Sequence, residues 1–406
     1  MNDPEPLTDG TYRARWVLPV HRSPIAGGYV QIRNGVVTAC SDLPPGPLTA
    51  DWEDCAILPG LVNAHCHLEF SHFAEPLGAP GMSLPTWLGE VIRSRQHASG
   101  FVPSRNTVIR RGIEECASRG IALLGEIATA PANLEDYSSL LLETLVFPEV
   151  IGLSAHRASE TFAWATEFQS QFVNQKVSSQ RLLGVGISPH APYSTSLEIL
   201  ATAVAHSHRS RCPLAIHLAE SREERELVES GTGEFRDFLE GLGLSLFADF
   251  PHPKGMTGYL EMLRDASRCL IVHGNYLLPD EMDLIAEHER ISVVYCPRTH
   301  AYFCHSPYPL EMLRQRGIRV VLGTDSRASN PDLSIWREAC LVRRLFSSIP
   351  SHEILDMITR DAAIALGDNP DAPRFGTLRV GSSPRPVRVA CTGKTVTAMW
   401  EELFAS

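Results

Sequence analysis

Residues 57–67 read Ile57-Leu58-Pro59-Gly60-Leu61-Val62-Asn63-Ala64-His65-Cys66-His67, an apolar run that stops on two histidines. How this stretch is read decides the fold, because the pattern recurs. After the first run, Ile57 to Ala64, come Ile121–Ile127, Leu140–Val146, Leu182–Ile187, Leu214–Leu218, Cys269–Val272, Ile291–Tyr295 and Val320–Leu322. Near-continuous apolar strands are what a parallel sheet requires when helices cover its outer face. The intervals carry apolar residues at helical spacing, as in Arg105–Arg119, Leu197–Ser210, Pro279–His288 and Leu333–Phe346. Eight such units predict a (β/α)8 TIM barrel. A doubly wound open sheet is the alternative, but neither GxGxxG nor GxxxxGKS/T occurs.

Working outward, residues 12–58 alternate β-rich runs (Tyr12–Val17, Tyr29–Ile32, Val36–Ala39) with turns such as Arg33-Asn34-Gly35. A second β-like stretch, Phe375–Val396, lies at the far end of the chain. The chain is therefore expected to be α/β, with the barrel over residues 59–371 and a small composite β-sandwich domain built from residues 1–58 and 372–406.

The 406 residues, 44% hydrophobic and 20% charged, have the composition of a globular protein. Lys+Arg 36 against Asp+Glu 47 gives a net charge of −11, which argues against a nucleic-acid groove or an anionic membrane surface. No apolar run is long enough to cross a bilayer and the acidic start has no signal-peptide pattern, so a cytoplasmic location is expected. Ten scattered cysteines without CxxC are expected to be reduced and mostly buried. Lys176, Lys254 and Lys394 are the only lysines.

The apolar runs end on chemistry. His65-x-His67 places two imidazoles on one side of a strand, within reach of one metal. Further strand ends carry His190, His217-x-x-Glu220, His273 and Asp325. In a barrel these ends converge on one face, where the active sites of that fold lie. For the His217 and Glu220 pair, one ligand and one substrate contact is the functional alternative to a surface accident. His273 alone reads equally well as a core histidine. Asp325 at the end of a buried strand costs desolvation unless paired or metal-bound. His190, between two prolines, is read as a substrate contact. Glu69, Trp87, Arg157, Arg298 and Asn330 are further substrate-contact candidates, with His72, Glu126, His300 and His305 nearby; loop or supporting roles are the alternative for each.

In this order, PGLVNAHCHLE (59–69), SPHAPYS (188–194), IHLAES (216–221), VHGNYL (272–277), YCPRTHAYF (295–303) and GTDSRASN (323–330) resemble the amidohydrolase superfamily, in its cytosine deaminase-like and chlorohydrolase-like branch. The resemblance implies one divalent metal ion, Zn ahead of Fe, held by His65, His67, His217 and Asp325. It also implies Glu220 and His273 as catalytic acid/base and polarising residues, with Asp325 taking the proton of the attacking water. His67-Leu68-Glu69-Phe70-Ser71 and Trp87 to Arg95 look most like the aminodeoxyfutalosine deaminases, relatives of adenosine and S-adenosylhomocysteine deaminases. The expected activity is hydrolytic release of ammonia from an aminated purine nucleoside. Alternatives are another small heterocycle (triazine, guanine, pterin or cytosine) or a non-catalytic binding relative. A small heterocyclic substrate is the expected partner, with no nucleic acid and no membrane; homodimerisation stays open.

Three departures from the family pattern stand out. Between His217 and His273 lie 55 residues, longer than the simplest relatives require, so an insertion that covers or reshapes the mouth is expected there. Thr299-His300-Ala301-Tyr302-Phe303 replaces the usual Ser-Asn and small residues, and Gly381 to Pro386 lacks the usual Ala-Asp. Binuclear members bridge two metals with a lysine of the fourth strand; the fourth run here has none, which favours one metal.

Overall fold

The computed structural model describes residues 3–96, 104–137, 141–174, 182–244 and 250–405. The opening run divides at Pro59-Gly60. Ala50–Leu58 joins the small sheet, and Leu61–His67 is the first barrel strand, β1. Proline removes a ladder donor, and Gly60 lies where the backbone meets the C-terminal segment: a Cβ there would stand 2.4 Å from the Pro384 carbonyl oxygen.

The other barrel strands are β2 (Ile121–Ala128), β3 (Glu143–Val150), β4 (Leu182–Val185, continued by Ser188–Pro189), β5 (Leu214–Leu218), β6 (Cys269–His273), β7 (Ile291–Tyr295) and β8 (Arg319–Leu322, continued by Asp325–Ser326). Neighbours pair in parallel. A bridge from Ile187 to Leu214 joins β4 to β5, and Asp325 paired with Cys66 closes β8 onto β1. Asn63 reinforces the closure, donating to Thr324 Oγ1 at 2.7 Å and accepting from the Thr324 N–H at 3.1 Å.

Side chains such as Val62, Leu123, Phe147, Leu270, Val272 and Val321 fill the interior, while Leu61, Leu124, Ile216, Ile271 and Val320 face the surrounding helices. Both faces are apolar, which is why the strands read as continuous runs. Three of the helices start where serines stand: Ser104, Ser196 and Ser334 each accept a hydrogen bond from the backbone N–H three residues on. The expected Leu197–Ser210 helix forms over those same residues.

The small sheet takes strands from both ends of the chain. Glu5–Pro6, Val387–Ala390, Ala50–Leu58, Gly10–Val17, Tyr29–Arg33 and Val36–Ser41 lie side by side, with Ile25–Ala26 beside Gly10–Val17. One face has its own core of Tyr12, Val30, Ile32, Val37, Ile57 and Leu378; the other packs on the barrel through Trp16, Ala56 and Leu58.

Two expectations need correction. Of Phe375–Val396 only Val387–Ala390 is a strand among the named elements, and a helix starts at Val396, capped by Thr395. The third barrel strand runs to Val150 instead of ending at Val146, because Pro148 fits the ladder opposite Ala128. Among the described residues, no helix is long and apolar enough to cross a membrane.

Candidate active site

The strand ends bring the candidate ligands together. On β1 the register shifts between Asn63 and Cys66. Val62 and Ala64 lie in the interior cluster and Cys66 in the outer one, so the shift resets the alternation and leaves His65 and His67 in the mouth. On β5, regular alternation turns His217 inward between Ile216 and Leu218, which pack outside.

The Nε2 atoms of His65 and His67 each lie 3.3 Å from His217 Nε2. Both are 3.7 Å from Asp325 Oδ1. Tetrahedral coordination with metal–nitrogen bonds of about 2.05 Å puts ligand nitrogens about 3.3 Å apart. Burial pushes His65 and His67 well below the ordinary imidazole range and His217 down to about 4. All three are therefore neutral near pH 7, as ligation requires. The His190 carbonyl accepts from His217 Nδ1 at 3.1 Å, which leaves the Nε2 lone pair facing the other two rings. His65, His67 and His217 form a metal site.

Three non-glycine residues around it have left-handed backbone: Ala219 (φ 52°), His273 (φ 70°) and Asp325 (φ 55°). Alternation would send His273 outward beside Cys269 and Ile271; the left-handed residue breaks that phase, and its ring reaches within 3.4 Å of Glu220 Oε1. Ser329 donates to Asp325 Oδ2 at 2.8 Å. Strain of this kind clusters where geometry is imposed for function.

Glu220 is buried, and burial raises its carboxyl well above the usual range. Its turn is held by Glu224, whose carboxylate accepts from the Ala219 N–H (3.2 Å) and the Glu220 N–H (2.6 Å). Asn275 donates to the Glu220 carbonyl at 2.8 Å.

A cavity of about 410 Å³ opens from this cluster. His67, His217, Glu220, His273 and Asp325 line it, and so do Glu69, Trp87, Arg157 and His190. The segment between His217 and His273 shapes the mouth, contributing Phe238, Leu239, Leu242 and Leu244.

Arg298 and Asn330 differ from expectation, for neither lines the cavity. Arg298 pairs with Glu338 at 2.7 Å and Asp332 at 2.8 Å, and Asn330 donates to Glu338 at 2.7 Å and to the Thr324 carbonyl at 2.8 Å. They brace the loop after β8. Glu126 accepts from the Leu68 N–H and the Tyr137 hydroxyl, steadying the chain beyond His67. His300 packs against Tyr295 and Tyr308, His305 bonds Tyr276, and His72 is exposed.

One group that lines the pocket, Glu149, and one that holds the Glu220 turn, Glu224, have no place among the sequence candidates. Glu149 was hidden by the early end assigned to β3. Glu224 was signalled by Ser221-x-x-Glu224, a capping-box spacing directly after Glu220.

Comparisons with known proteins agree with this architecture. The chain is similar to the 5-methylthioadenosine/S-adenosylhomocysteine deaminase of Desulfovibrio desulfuricans, 28% identical over 349 residues, covering 82% of this chain and 71% of that one. Its fold matches that of Helicobacter pylori aminofutalosine deaminase in complex with methylthio-coformycin, with a TM-score of 0.79 at 20% identity over 98% of this chain and 95% of that one. It also matches an adenosine deaminase from Xanthomonas campestris with bound zinc, with a TM-score of 0.73 at 22% identity over 99% and 89% of the two chains. The pattern of the amidohydrolase family matches residues 56–384, more than half of the sequence. With its barrel, its composite β-domain and its histidine metal site, the chain belongs to the amidohydrolase family.

Proposed function

We propose that this protein is a hydrolytic deaminase of aminated purine nucleosides that uses one divalent ion, Zn ahead of Fe. His65, His67, His217 and Asp325 are its ligands. The observation that carries the reading is the juxtaposition of three converging imidazoles with the buried Glu220–His273 pair on the wall of one cavity.

What the ion supplies when bound is activation of water at neutral pH. The residues supply the rest. Asp325 takes the proton of the attacking water at its carboxylate. Glu220, whose carboxyl burial favours in the neutral form, delivers a proton to the ring nitrogen beside the attacked carbon. His273 orients the nucleophile and offsets developing charge. Loss of ammonia then leaves a carbonyl on the ring. Glu69, Trp87, Arg157 and His190 contact the substrate, and Trp87 supplies an aromatic face for the base. The similarity to nucleoside deaminases supports the choice of ring.

The test is ammonia release by zinc-replete protein from adenine nucleosides, guanine, pterins and triazines. Turnover is expected with the adenine nucleosides, and turnover confined to another ring would overturn the substrate class. Elemental analysis is expected to give one metal per chain; two would contradict the lysine argument.

A further inference from the structure

His273 serves the proposed reaction from a backbone that has to be held in place. It and Gly274 are consecutive left-handed residues, with φ of 70° and 61°, at the end of β6. A residue with a side chain disfavours that conformation, so its neighbours must impose it. On the β5 side, the Gly274 N–H donates to the Leu218 carbonyl at 3.0 Å. On the β7 side, the ladder stops one residue earlier, at Val272 opposite Val294. Tyr308 makes the tie there. Its hydroxyl donates to the His273 carbonyl at 3.0 Å, a buried contact between residues 35 positions apart.

Tyr308 is well fixed for that task. It stands between Pro307 and Pro309, which restrict the backbone on either side. Its ring stacks on Tyr295, with centroids 3.7 Å apart and planes 12° from parallel, and His300 meets it edge to face at 5.7 Å. His300 belongs to Thr299–Phe303, the stretch that departs from the family pattern, so that departure helps to build the wall on which Tyr308 rests. The two stacked tyrosines differ in one respect. The Tyr308 hydroxyl is engaged, whereas the Tyr295 hydroxyl is buried without a hydrogen-bond partner among the described residues. Removing the Tyr308 hydroxyl leaves the His273 carbonyl buried without that donor and takes one restraint from the left-handed turn. Relaxation toward regular strand alternation carries the imidazole toward the Cys269 and Ile271 side, away from Glu220 Oε1, which now lies 3.4 Å from it.

We propose that Tyr308 is a positioning residue for catalysis: by holding the His273 carbonyl, it keeps the His273 imidazole beside Glu220 in the mouth. This rests on the deaminase reading. It gives a task to an aromatic wall that the reading leaves unused.

The experiment takes the adenine nucleoside turned over best by the wild type and measures kcat, KM, zinc content and thermal unfolding. The zinc-loaded proteins are the wild type, Tyr308→Phe, Tyr295→Phe, His273→Ala and the His273→Ala/Tyr308→Phe double variant, with rates taken per bound zinc in the folded fraction. Tyr308→Phe keeps the ring and its stack. It is expected to lower kcat about tenfold or more at nearly unchanged KM and full zinc, since misplacing a group by about 1 Å can cost 10²-fold. Tyr295→Phe removes an unbonded hydroxyl from the same stack and is expected to leave kcat within about twofold of the wild type. The double variant is expected to match His273→Ala, because without the imidazole Tyr308 has nothing to position. Near-normal kcat in Tyr308→Phe, an equal loss in Tyr295→Phe, or the same factor lost again in the His273→Ala background overturns the proposal and leaves the deaminase reading intact. Loss of zinc from Tyr308→Phe does the same, by moving its role to the metal site. A wild type that releases no ammonia from any adenine nucleoside overturns both.

Discussion

Two buried clusters of ionisable side chains lie near the end of β8, and they are built on opposite principles. Beneath the loop, Arg298, Asn330, Asp332 and Glu338 satisfy one another: donors meet acceptors at 2.7 to 2.8 Å. In the mouth, the Nε2 atoms of His65 and His67 each converge to 3.3 Å from that of His217, ring nitrogen against ring nitrogen. A polar cluster that closes on itself holds the fold. One that keeps its acceptors converging is arranged for something the chain does not contain, here a cation.

The comparison predicts different losses on each side. The largest concerns His217→Ala, which removes the ring common to both short contacts: metal content is expected to fall to near zero and turnover with it. Metal analysis beside an ammonia assay checks this, and retained stoichiometric zinc would break the assignment. Glu220→Gln keeps the metal and lowers kcat by about 10²–10⁴, the range of a lost general acid or base; near-normal turnover would remove the proton-transfer role. On the structural side, Arg298→Ala leaves Glu338 charged and buried without its partner, costing about 3–5 kcal/mol. Thermal and denaturant unfolding measure that. The folded, zinc-loaded fraction is expected to turn over normally, and a specific loss of kcat there would erase the contrast between the clusters.

The smallest effect is one of pH. Burial alone would raise the Asp332 carboxyl, but the hydrogen bond and charge of Arg298, with the Ser334 N–H, hold it down to about 2 from an ordinary 3.8. A carboxyl depressed in the folded state adds stability above its unfolded pKa and loses it as pH falls toward the folded value. The contribution is therefore present above pH 4 and disappears between about pH 4 and 2. Asp332→Asn is expected to flatten the acid limb of the stability curve in that window. An unchanged limb in acid unfolding titrations would detach Asp332 from the network.

Much of this was legible in one dimension. Leu214–Leu218 and Ile291–Tyr295 read as strands and form over those residues, because burial on both faces writes a continuous apolar run. The ligand histidines were legible because a spacing of two on a strand means one side of it. Misreadings occurred where a local signal met a tertiary one. The third apolar run reads as ending at Val146, yet the ladder continues through Pro148 opposite Ala128, so Glu149 went unseen. Arg298 follows a strand end as catalytic residues do, but its partners Asp332 and Glu338 lie 34 and 40 residues further on. Nothing local announces that pairing.

By itself, the sequence determined the barrel, the chain-end origin of the small domain and the identity of the metal-binding histidines. Each is encoded in a periodicity or a spacing that burial and strand geometry enforce locally. Only the tertiary structure decided which charged residues face the cavity and which face each other. It also decided that His273 turns into the mouth against the alternation of its strand. Those outcomes depend on distances between groups far apart in the chain, and a buried charge declares its role only through the partner it has or lacks.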